Sequence, residues 1–282
     1  MTDDSPSRQL WKAVETIHSV TYFSEESLVT AQDVGFKGFW MGYFAFRSAP
    51  LGEAQPDVVE ALFNNFSADR VNRALPDAWS FASPADALAA RSRGAQQALT
   101  RLGVEPPREQ LLASMNSAIM SIAPHGRPLF AANRAIAPEG IPLIDLWQWC
   151  TTVREHRGDS HVAALAVLGI NGLEATILLA VDEGIDFELF EQSRGWERGH
   201  IDRTVERLIG IGLLQSRDEL SDSGRRLRAE VEEMTDRQAF AVISRLSDDY
   251  PAILETLETA AAQIRSQNEI PFPNPMGLPI GD

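Results

Sequence analysis

The stretch Gly172-Leu-Glu-Ala-Thr-Ile-Leu-Leu-Ala-Val181 begins the part of the chain that decides the fold. Its composition predicts a compact apolar helix that ends near Gly184, and Asp186 predicts the N-cap of a second short helix that runs to Arg194. From residue 197 to 214, apolar side chains recur at the spacing of a third helix that packs on a core. These apolar residues are Ile201, Val205, Leu208 and Ile209.

A hairpin and a long helix are predicted to follow. Residues 213–220 alternate in polarity around the polar turn Arg217-Asp218, and Ser221-Asp-Ser-Gly224 is typical of a helix start. The order helix, helix, helix, hairpin, helix resembles the winged helix-turn-helix of the MarR and PadR repressors, and it implies that the third helix is a recognition helix. The resemblance extends to their wing signature, which here reads Gly212-Leu213-Leu214, Leu220-Ser221 and Gly224-Arg225.

The charge of this region argues against the usual partner of such a fold. Residues 172–237 hold nine arginines, no lysine and sixteen acidic residues, a net charge of −7, within a chain of net charge −15. DNA binding draws on clustered cations that neutralise phosphates. The predicted recognition helix offers Arg198, Arg203 and Arg207, but acidic residues lie beside them. We therefore expect a packing or dimerisation module rather than a DNA-binding one, with a local arginine stripe on DNA as the alternative.

Length and composition indicate an ordinary soluble protein with room for two hydrophobic cores. The chain has 282 residues, of which 44% are hydrophobic. Its first residues contain neither a basic segment nor an apolar run, so we expect no secretory signal and a cytoplasmic location. The single Cys150 excludes an internal disulfide. Gly169 and Glu174 interrupt the apolar stretch 161–181, which predicts two buried helices that meet at a turn rather than a membrane span.

The remaining periodicity predicts a mainly α protein of two domains. The expected parts are a helical N-terminal domain (residues 1–140), a winged-helix-like domain with further C-terminal helices (residues 141–268) and an extended proline-rich tail (residues 269–282). The boundary lies in segment 124–142, whose prolines and glycines predict an irregular connection. A helix from Ile144 to about His156 is predicted to lead through Arg157-Gly158-Asp159 into the winged part.

Seven further segments resemble the sequence signatures of a family of actinobacterial proteins that carry a helix-turn-helix-like domain. The likeness covers about residues 16–240, and it implies a helical N-terminal domain joined to a winged helix without implying an activity. The segments are Thr16-Ile-His-Ser-Val-Thr-Tyr-Phe23, Gly38-Phe-Trp-Met-Gly-Tyr-Phe44, Ala49-Pro-Leu-Gly52, Asn65-Phe66, Arg73-Ala-Leu-Pro-Asp-Ala-Trp79, Gly126-Arg-Pro-Leu-Phe-Ala-Ala-Asn133 and Glu155-His-Arg-Gly-Asp-Ser-His161.

The first of these segments carries a candidate catalytic pair. In a helix, His18 and Tyr22 lie one turn apart on the same face, so an imidazole and a phenol could address one ligand as general base and hydrogen-bond donor. Equally, the two groups could satisfy each other in a core, since buried polar groups are normally hydrogen-bonded.

The last segment holds the densest polar cluster of the chain: His156, Arg157, Asp159 and His161. We expect the first of these residues to be catalytic and the other three to bind substrate. The spacing of the two histidines across Gly158 does not place both rings on one helical face, so no metal is predicted. The alternative is a capping turn, in which Asp159 accepts N–H bonds at the start of the following helix.

A third group surrounds a proline turn. Arg73 suits a carboxylate, sulfate or phosphate of a ligand, Asp77 suits an amine or serves as a base, and Asn65 lies just upstream. The two charged residues could also simply bridge helices. The sequence has no glycine-rich phosphate loop, serine-hydrolase elbow or H-E-x-x-H motif, so we expect no cofactor.

Together these residues predict a cofactor-independent enzyme of specialised metabolism that acts on a small polar molecule. His18 or Asp77 would act as base, Arg73 and Arg157 would fix anionic groups, and Tyr22 would donate a hydrogen bond. Two other functions stay open. One is a ligand-sensing transcriptional regulator whose recognition helices face DNA in a two-fold dimer. The other is a non-catalytic subunit of a stable complex.

Overall fold

The computed structural model describes residues 5–271 together with Asn274 and Met276. Over these residues the secondary structure is helical apart from one two-stranded antiparallel hairpin, so the predicted mainly α fold is confirmed. In chain order the helices are α1 (Pro6–His18), α2 (Val20–Phe23), α3 (Glu25–Asp33), α4 (Gly38–Ser48), α5 (Pro56–Phe63), α6 (Ala68–Asn72), α7 (Pro84–Arg101), α8 (Glu109–Met120), α9 (Pro128–Arg134), α10 (Pro142–Val167), α11 (Gly172–Glu183), α12 (Phe187–Arg194), α13 (Arg198–Gly210), α14 (Asp222–Leu246) and α15 (Tyr250–Ser266). Strands β1 (Leu214–Ser216) and β2 (Glu219–Leu220) lie between α13 and α14, and short 3-10 helices cover Ala49–Leu51, Asp77–Ser80 and Ser247–Asp249.

Helices α11 to α13, the hairpin and the start of α14 have the predicted winged-helix order. Local signals set the ends of these helices. Asn171 forms a reciprocal capping box at the start of α11, and Gly184 and Gly195 end α11 and α12 in the left-handed conformation. The apolar positions predicted for the third helix lie in a common hydrophobic cluster, except that Ile209 is 39% exposed. The buried positions are Ile201, Val205 and Leu208.

Two further hydrophobic clusters organise the rest of the chain. One, which we name the long-helix cluster, is formed by α1, the C-terminal half of α7, α8, α10, the C-terminal half of α14 and α15. It therefore brings together both ends of the sequence. The other lies around the aromatic residues Phe44, Phe63 and Phe66 and is covered by the N-terminal half of α7. Helix α14 therefore contacts the winged part near its start, where Leu227 packs, and the long-helix cluster near its end, where Val242 is buried.

Helix α10 is continuous from Pro142 to Val167, so the predicted break at Arg157-Gly158-Asp159 is wrong. A glycine in a helix interior costs only about 1 kcal/mol. The packing of α10 on α1, α7, α9 and α14, which buries Trp147 and Trp149, outweighs that cost. The chain breaks instead at residues 168–171, as predicted, and α11 leaves at 102° to α10.

No single helix of the described residues is long and apolar enough to cross a membrane, although the bent pair of α10 and α11 passes that test together.

The connection before α10 is more ordered than its prolines and glycines predict. Segment 124–142 contains the seven-residue helix α9, which begins at Pro128, so the expectation of an irregular connection is wrong there. Ile270, at the start of the predicted extended tail, is buried, while most of residues 269–282 lie outside the described residues. The domain boundary near residue 140 stays a prediction.

Candidate functional site

His18 and Tyr22 are buried beside Thr151 of α10. The His18 Nε2 atom lies 2.7 Å from the Tyr22 hydroxyl oxygen, and the Nδ1 atom lies 2.9 Å from the Thr151 hydroxyl oxygen. Because Thr151 donates its one hydroxyl hydrogen to the carbonyl oxygen of Trp147, its own oxygen accepts from His18 Nδ1–H. Tyr22 therefore donates to Nε2 of a neutral imidazole, in agreement with the lowering of the His18 pKa by burial and by Arg154.

A buried ion-pair cluster adjoins this chain of hydrogen bonds. Glu155 accepts from Arg47 Nε at 3.0 Å and Nη2 at 3.2 Å, and from Arg154 Nη1 at 2.9 Å. Arg154 also pairs with Glu15 at 3.2 Å. Burial alone would raise the pKa of Glu155, but Arg154 and Arg47 outweigh burial and hold the pKa at about 2. The carboxylate is therefore charged and fixes both guanidinium groups.

A third buried guanidinium contacts α10 two helical turns before Glu155. Arg91 of α7 donates to the Phe46 carbonyl oxygen at 2.9 Å, to Asn133 Oδ1 at 3.1 Å and to Gln148 Oε1 at 2.9 Å. Because these acceptors are neutral, burial lowers the pKa of Arg91 to about 10. At neutral pH this group adds positive charge to the interior.

Tyr43 of α4 joins the ion-pair cluster to the winged helix. Its hydroxyl oxygen accepts a hydrogen bond from Arg47 Nη1 at 3.3 Å, and the Arg194 guanidinium interacts electrostatically with the same phenol. Arg194 is the last residue of α12, and its guanidinium carbon lies 4.5 Å from the centre of the Phe66 ring. The Tyr43 ring also lies against Tyr22, with 5.0 Å between ring centres. The buried polar groups therefore extend from His18 to the end of α12.

A surface cleft opens beside Tyr43, between α2, α3 and α4. Its empty volume is about 350 Å³ with the open mouth included. The side chains of Tyr22 and Tyr43 line its inner part, and Leu28 and Phe39, 37% and 39% exposed, lie at its rim. Gln32 of α3 is an exposed lining residue. We name this feature the tyrosine cleft.

The structure does not bring the residues of the proline turn to this cluster. Arg73 and Asp77 are exposed on either side of a cis Leu75-Pro76 peptide bond, whereas His18 is 3% exposed. Asn65 uses its backbone oxygen to accept from the Trp196 indole N–H at 2.9 Å. The arrangement of these side chains gives no support to a common pocket.

His156 lies in a different place again, in a cavity between α1, α10 and α14. It is fully buried, its ring meets the Phe130 ring edge-on at 4.8 Å, and neither of its ring nitrogens has a hydrogen-bond partner among the described residues. Burial, with a smaller contribution from Arg127, lowers the pKa of His156 to about 4. The ring is neutral at physiological pH.

The other polar residues of this segment point to neighbouring helices. Asp159 accepts from the backbone N–H of Phe130 at 2.9 Å and so caps α9; the predicted cap of a following helix is wrong, because α10 continues past Asp159. Arg157 pairs with Asp236 of α14 at 2.5 Å, and His161 Nδ1 lies 3.3 Å from a hydroxyl of α14. Among the described residues, no group of three or more histidine, cysteine or acidic side chains is placed to hold a metal ion.

The turn between α12 and α13 is held against the N-terminal helices. The backbone N–H of Ser67 donates to the carbonyl oxygen of Arg194 at 3.0 Å, and the Ser67 hydroxyl donates to that of Gly195 at 2.8 Å. On the next residue, the Trp196 indole donates to Asn65. Hydrogen bonds therefore fix the turn that precedes α13 to the N-terminal part.

Two further contacts extend this attachment. Arg70 Nη2 donates to the carbonyl oxygen of Gln192 at 2.9 Å. At the start of α11, a Cβ atom added to Gly172 would lie 1.8 Å from the backbone oxygen of Asn64. Only glycine permits this approach, so the winged helix is attached at two of its helix ends.

The three predicted arginines of α13 are exposed; Arg203 and Arg207 lie one turn apart on one face, and Arg198 is at the start of the helix. Arg198 Nε lies 2.7 Å from Glu191 Oε1, and Arg207 pairs with Glu174. Arg203 makes no ion pair within the part of the chain that the structure describes. Arg198 pairs at the surface, where an ion pair is worth about 0–1 kcal/mol, so Arg198 can exchange its carboxylate for a phosphate at little cost. Glu174 is buried, so the pair that Arg207 makes with Glu174 is costlier to break.

Sequence reasoning missed Tyr43, Arg47, Arg154 and Arg194. The i, i+4 spacing of Tyr43 and Arg47 in a helix was a usable signal for their contact. Arg154 directly precedes the segment that begins at Glu155, but its second carboxylate partner is in α1. Arg194 meets its partners only through the fold.

Comparison with known proteins agrees with the winged-helix order. No curated protein and no solved structure matches the chain. A family model described as a helix-turn-helix family matches residues 7–271, which include both the N-terminal helices and the winged part. Since this match covers nearly the whole sequence, the chain belongs to that helix-turn-helix family.

Proposed function

We propose that the protein is a winged-helix transcriptional regulator that binds DNA through the exposed face of α13 and the wing. The observation that supports this function best is the division of α13 into two faces. Ile201, Val205 and Leu208 pack on the core, whereas Arg203 and Arg207, one turn apart on another face, are open to solvent. A recognition helix requires such an open polar face.

Basic side chains are grouped around this face although the chain is acidic. Arg217 in the wing pairs with Asp202 of α13 at 2.8 Å, and Arg225 and Arg226 at the start of α14 are exposed. With about four arginine–phosphate contacts per chain, the logarithm of the binding constant should fall with that of the salt concentration with a slope of about −4. The net charge of −15 repels DNA at long range, and salt screens this repulsion, so we expect association to be slow and to be slowest at low salt.

The test is fluorescence anisotropy with self-promoter and random duplexes between about 50 and 200 mM salt. The Arg203→Ala variant should bind more weakly and lower the magnitude of the salt slope by about 1. Its matched control is Arg93→Ala, which removes an exposed arginine of α7, outside the winged helix. The absence of salt-sensitive binding at the lowest salt would refute the proposal and favour a winged helix used for packing. An equal effect of the two variants would remove α13 from the DNA interface.

Fewer observations support the enzymatic function predicted from sequence. His18 and Tyr22 are hydrogen-bonded to each other, Asp77 lies apart on the surface, and His156 lines another cavity. These groups do not converge on one space in which a substrate could meet a base and a donor. Catalysis by these residues stays a prediction.

A further inference from the structure

Tyr43 carries a hydroxyl hydrogen for which the described residues supply no acceptor. Its oxygen already accepts from Arg47, and a phenol has only one hydrogen to donate. A cationic donor on the oxygen polarises the O–H bond, so Tyr43 is a stronger donor than an ordinary phenol. Because Tyr43 is half-buried and lines the tyrosine cleft, a molecule that displaces water from the cleft can accept this hydrogen.

The other groups of the cleft are mainly aromatic and apolar. Tyr22 donates its hydroxyl hydrogen to His18, so a molecule in the cleft can contact only the ring of Tyr22 and the lone pairs of its oxygen. Phe39 stacks beside Tyr43 with 6.1 Å between ring centres, and Leu28 lies on the opposite rim. Large apolar side chains that are more than a third exposed beside a polarised donor suit a ligand with an apolar body.

We propose that the tyrosine cleft binds a small molecule that carries an anionic oxygen, such as a carboxylate, on an aromatic or apolar body. The anionic oxygen accepts from Tyr43, and the guanidinium groups of Arg47 and Arg194 behind the phenol supply a favourable potential in an environment of low dielectric constant. The body of the ligand packs between Phe39 and Leu28.

We assign the bound molecule the role of effector of the regulator, and only this role rests on the proposed function. Arg194 interacts electrostatically with Tyr43, and the next residue, Gly195, belongs to the turn that Ser67 holds. A phenol that donates to an anion becomes a better acceptor, because hydrogen bonds in a chain strengthen one another. The bound ligand therefore tightens the contact between Tyr43 and Arg194 and holds the turn before α13 more firmly.

Isothermal titration calorimetry of the full chain without DNA tests the ligand class. The probes are benzoate and phenylacetate, and their neutral controls are benzamide and phenylacetamide. We expect each carboxylate to bind at least about tenfold more tightly than its amide, which corresponds to one charge-assisted hydrogen bond. Tyr43→Phe should abolish the difference. The control Tyr250→Phe, which removes a phenol of α15 outside the cleft, should keep it.

A second pair of variants covers the case in which Tyr43→Phe does not fold. Gln32→Trp places a bulky ring at the mouth of the cleft and should prevent binding, whereas Asp33→Trp alters an exposed neighbour that does not line the cleft. Three results would each overturn the ligand site. They are no saturable binding of either carboxylate up to about 10 mM, equal affinity for acid and amide, and unchanged binding in both Tyr43→Phe and Gln32→Trp.

Hydrogen exchange of residues 192–198 in the same DNA-free samples separates this inference from the proposed function. We expect benzoate to slow exchange at the turn in the wild-type protein and to leave it unchanged in Tyr43→Phe. Benzoate binding with slowed exchange, in a protein that ignores DNA, would support the ligand site and refute the regulator. Binding without any change in exchange would overturn the role of the ligand as effector.

Discussion

Replacement of Glu155 by glutamine removes the carboxylate that holds two buried guanidinium groups. The pKa of Glu155 is about 2 in the fold against an ordinary value of 4.5. A pKa difference of about 2.5 units at about 1.36 kcal/mol each gives a stabilisation of about 3 kcal/mol by the charged form. Breaking a buried pair by removing one partner typically costs about 3–5 kcal/mol. We therefore expect Glu155→Gln to lower the free energy of unfolding by about 3 kcal/mol at neutral pH.

The pH dependence of this difference follows from the direction of the shift. Because the pKa in the fold lies below that in the unfolded chain, the wild-type protein has the full stabilisation above about pH 4.5 and loses it as the pH falls toward about 2. The variant lacks this contribution. The gap between the two proteins should narrow by about 1 kcal/mol between pH 4.5 and about pH 3.5.

Urea unfolding followed by tryptophan fluorescence measures both quantities, since Trp147 and Trp149 are buried on the same helix as Glu155. The matched control is Glu230→Gln, which neutralises an exposed acid of α14 and should change stability by less than about 0.5 kcal/mol. A Glu155→Gln protein within about 1 kcal/mol of the wild type at neutral pH would refute the reasoning, as would a gap that does not change with pH.

Two further predictions concern packing. Gly172→Ala should lower the melting temperature sharply, because the added Cβ would lie 1.8 Å from the Asn64 backbone oxygen. The control Gly210→Ala meets nothing within 4 Å and should stabilise α13 by up to about 1 kcal/mol. Similar melting temperatures of the two variants would contradict the close approach at Gly172. His156→Leu should be neutral or stabilising, since both ring nitrogens lack hydrogen-bond partners among the described residues. Because the pKa of His156 is about 4 in the fold against 6.5, this residue lowers the stability of the wild type as the pH falls from about 6.5 to about 4. The melting temperature of the variant should therefore fall less between about pH 7 and 5 than that of the wild type, and equal falls would mean that His156 does not titrate.

The winged part could be predicted from sequence because its signals are local. The caps at Asn171 and Asp186 and the left-handed glycines at 184 and 195 lie next to the helices that they bound. The course of α10 could not be predicted in the same way. Gly158 is a local signal for a break, but the burial that keeps the helix continuous comes from α1, α9 and α14, which are distant in sequence.

The same distinction applies to the polar groups. The spacing of His18 and Tyr22 predicted their contact, including the interpretation that they satisfy each other, and the structure adds Thr151 as the second partner of the imidazole. The pairing of Arg47 with Glu155 spans 108 positions, so no periodicity in the sequence could indicate it. Only the fold decides which charged residues become neighbours.

The length of α14 gives the winged helix a mechanical relation to the rest of the chain. A helix of 25 residues is about 37 Å long. If it tilts by about 5° around its C-terminal end, its start moves by about 3 Å, which is the full length of a hydrogen bond. A small displacement near Val242 therefore corresponds to a displacement several times larger at the start of α14, where Leu227 packs on the winged part.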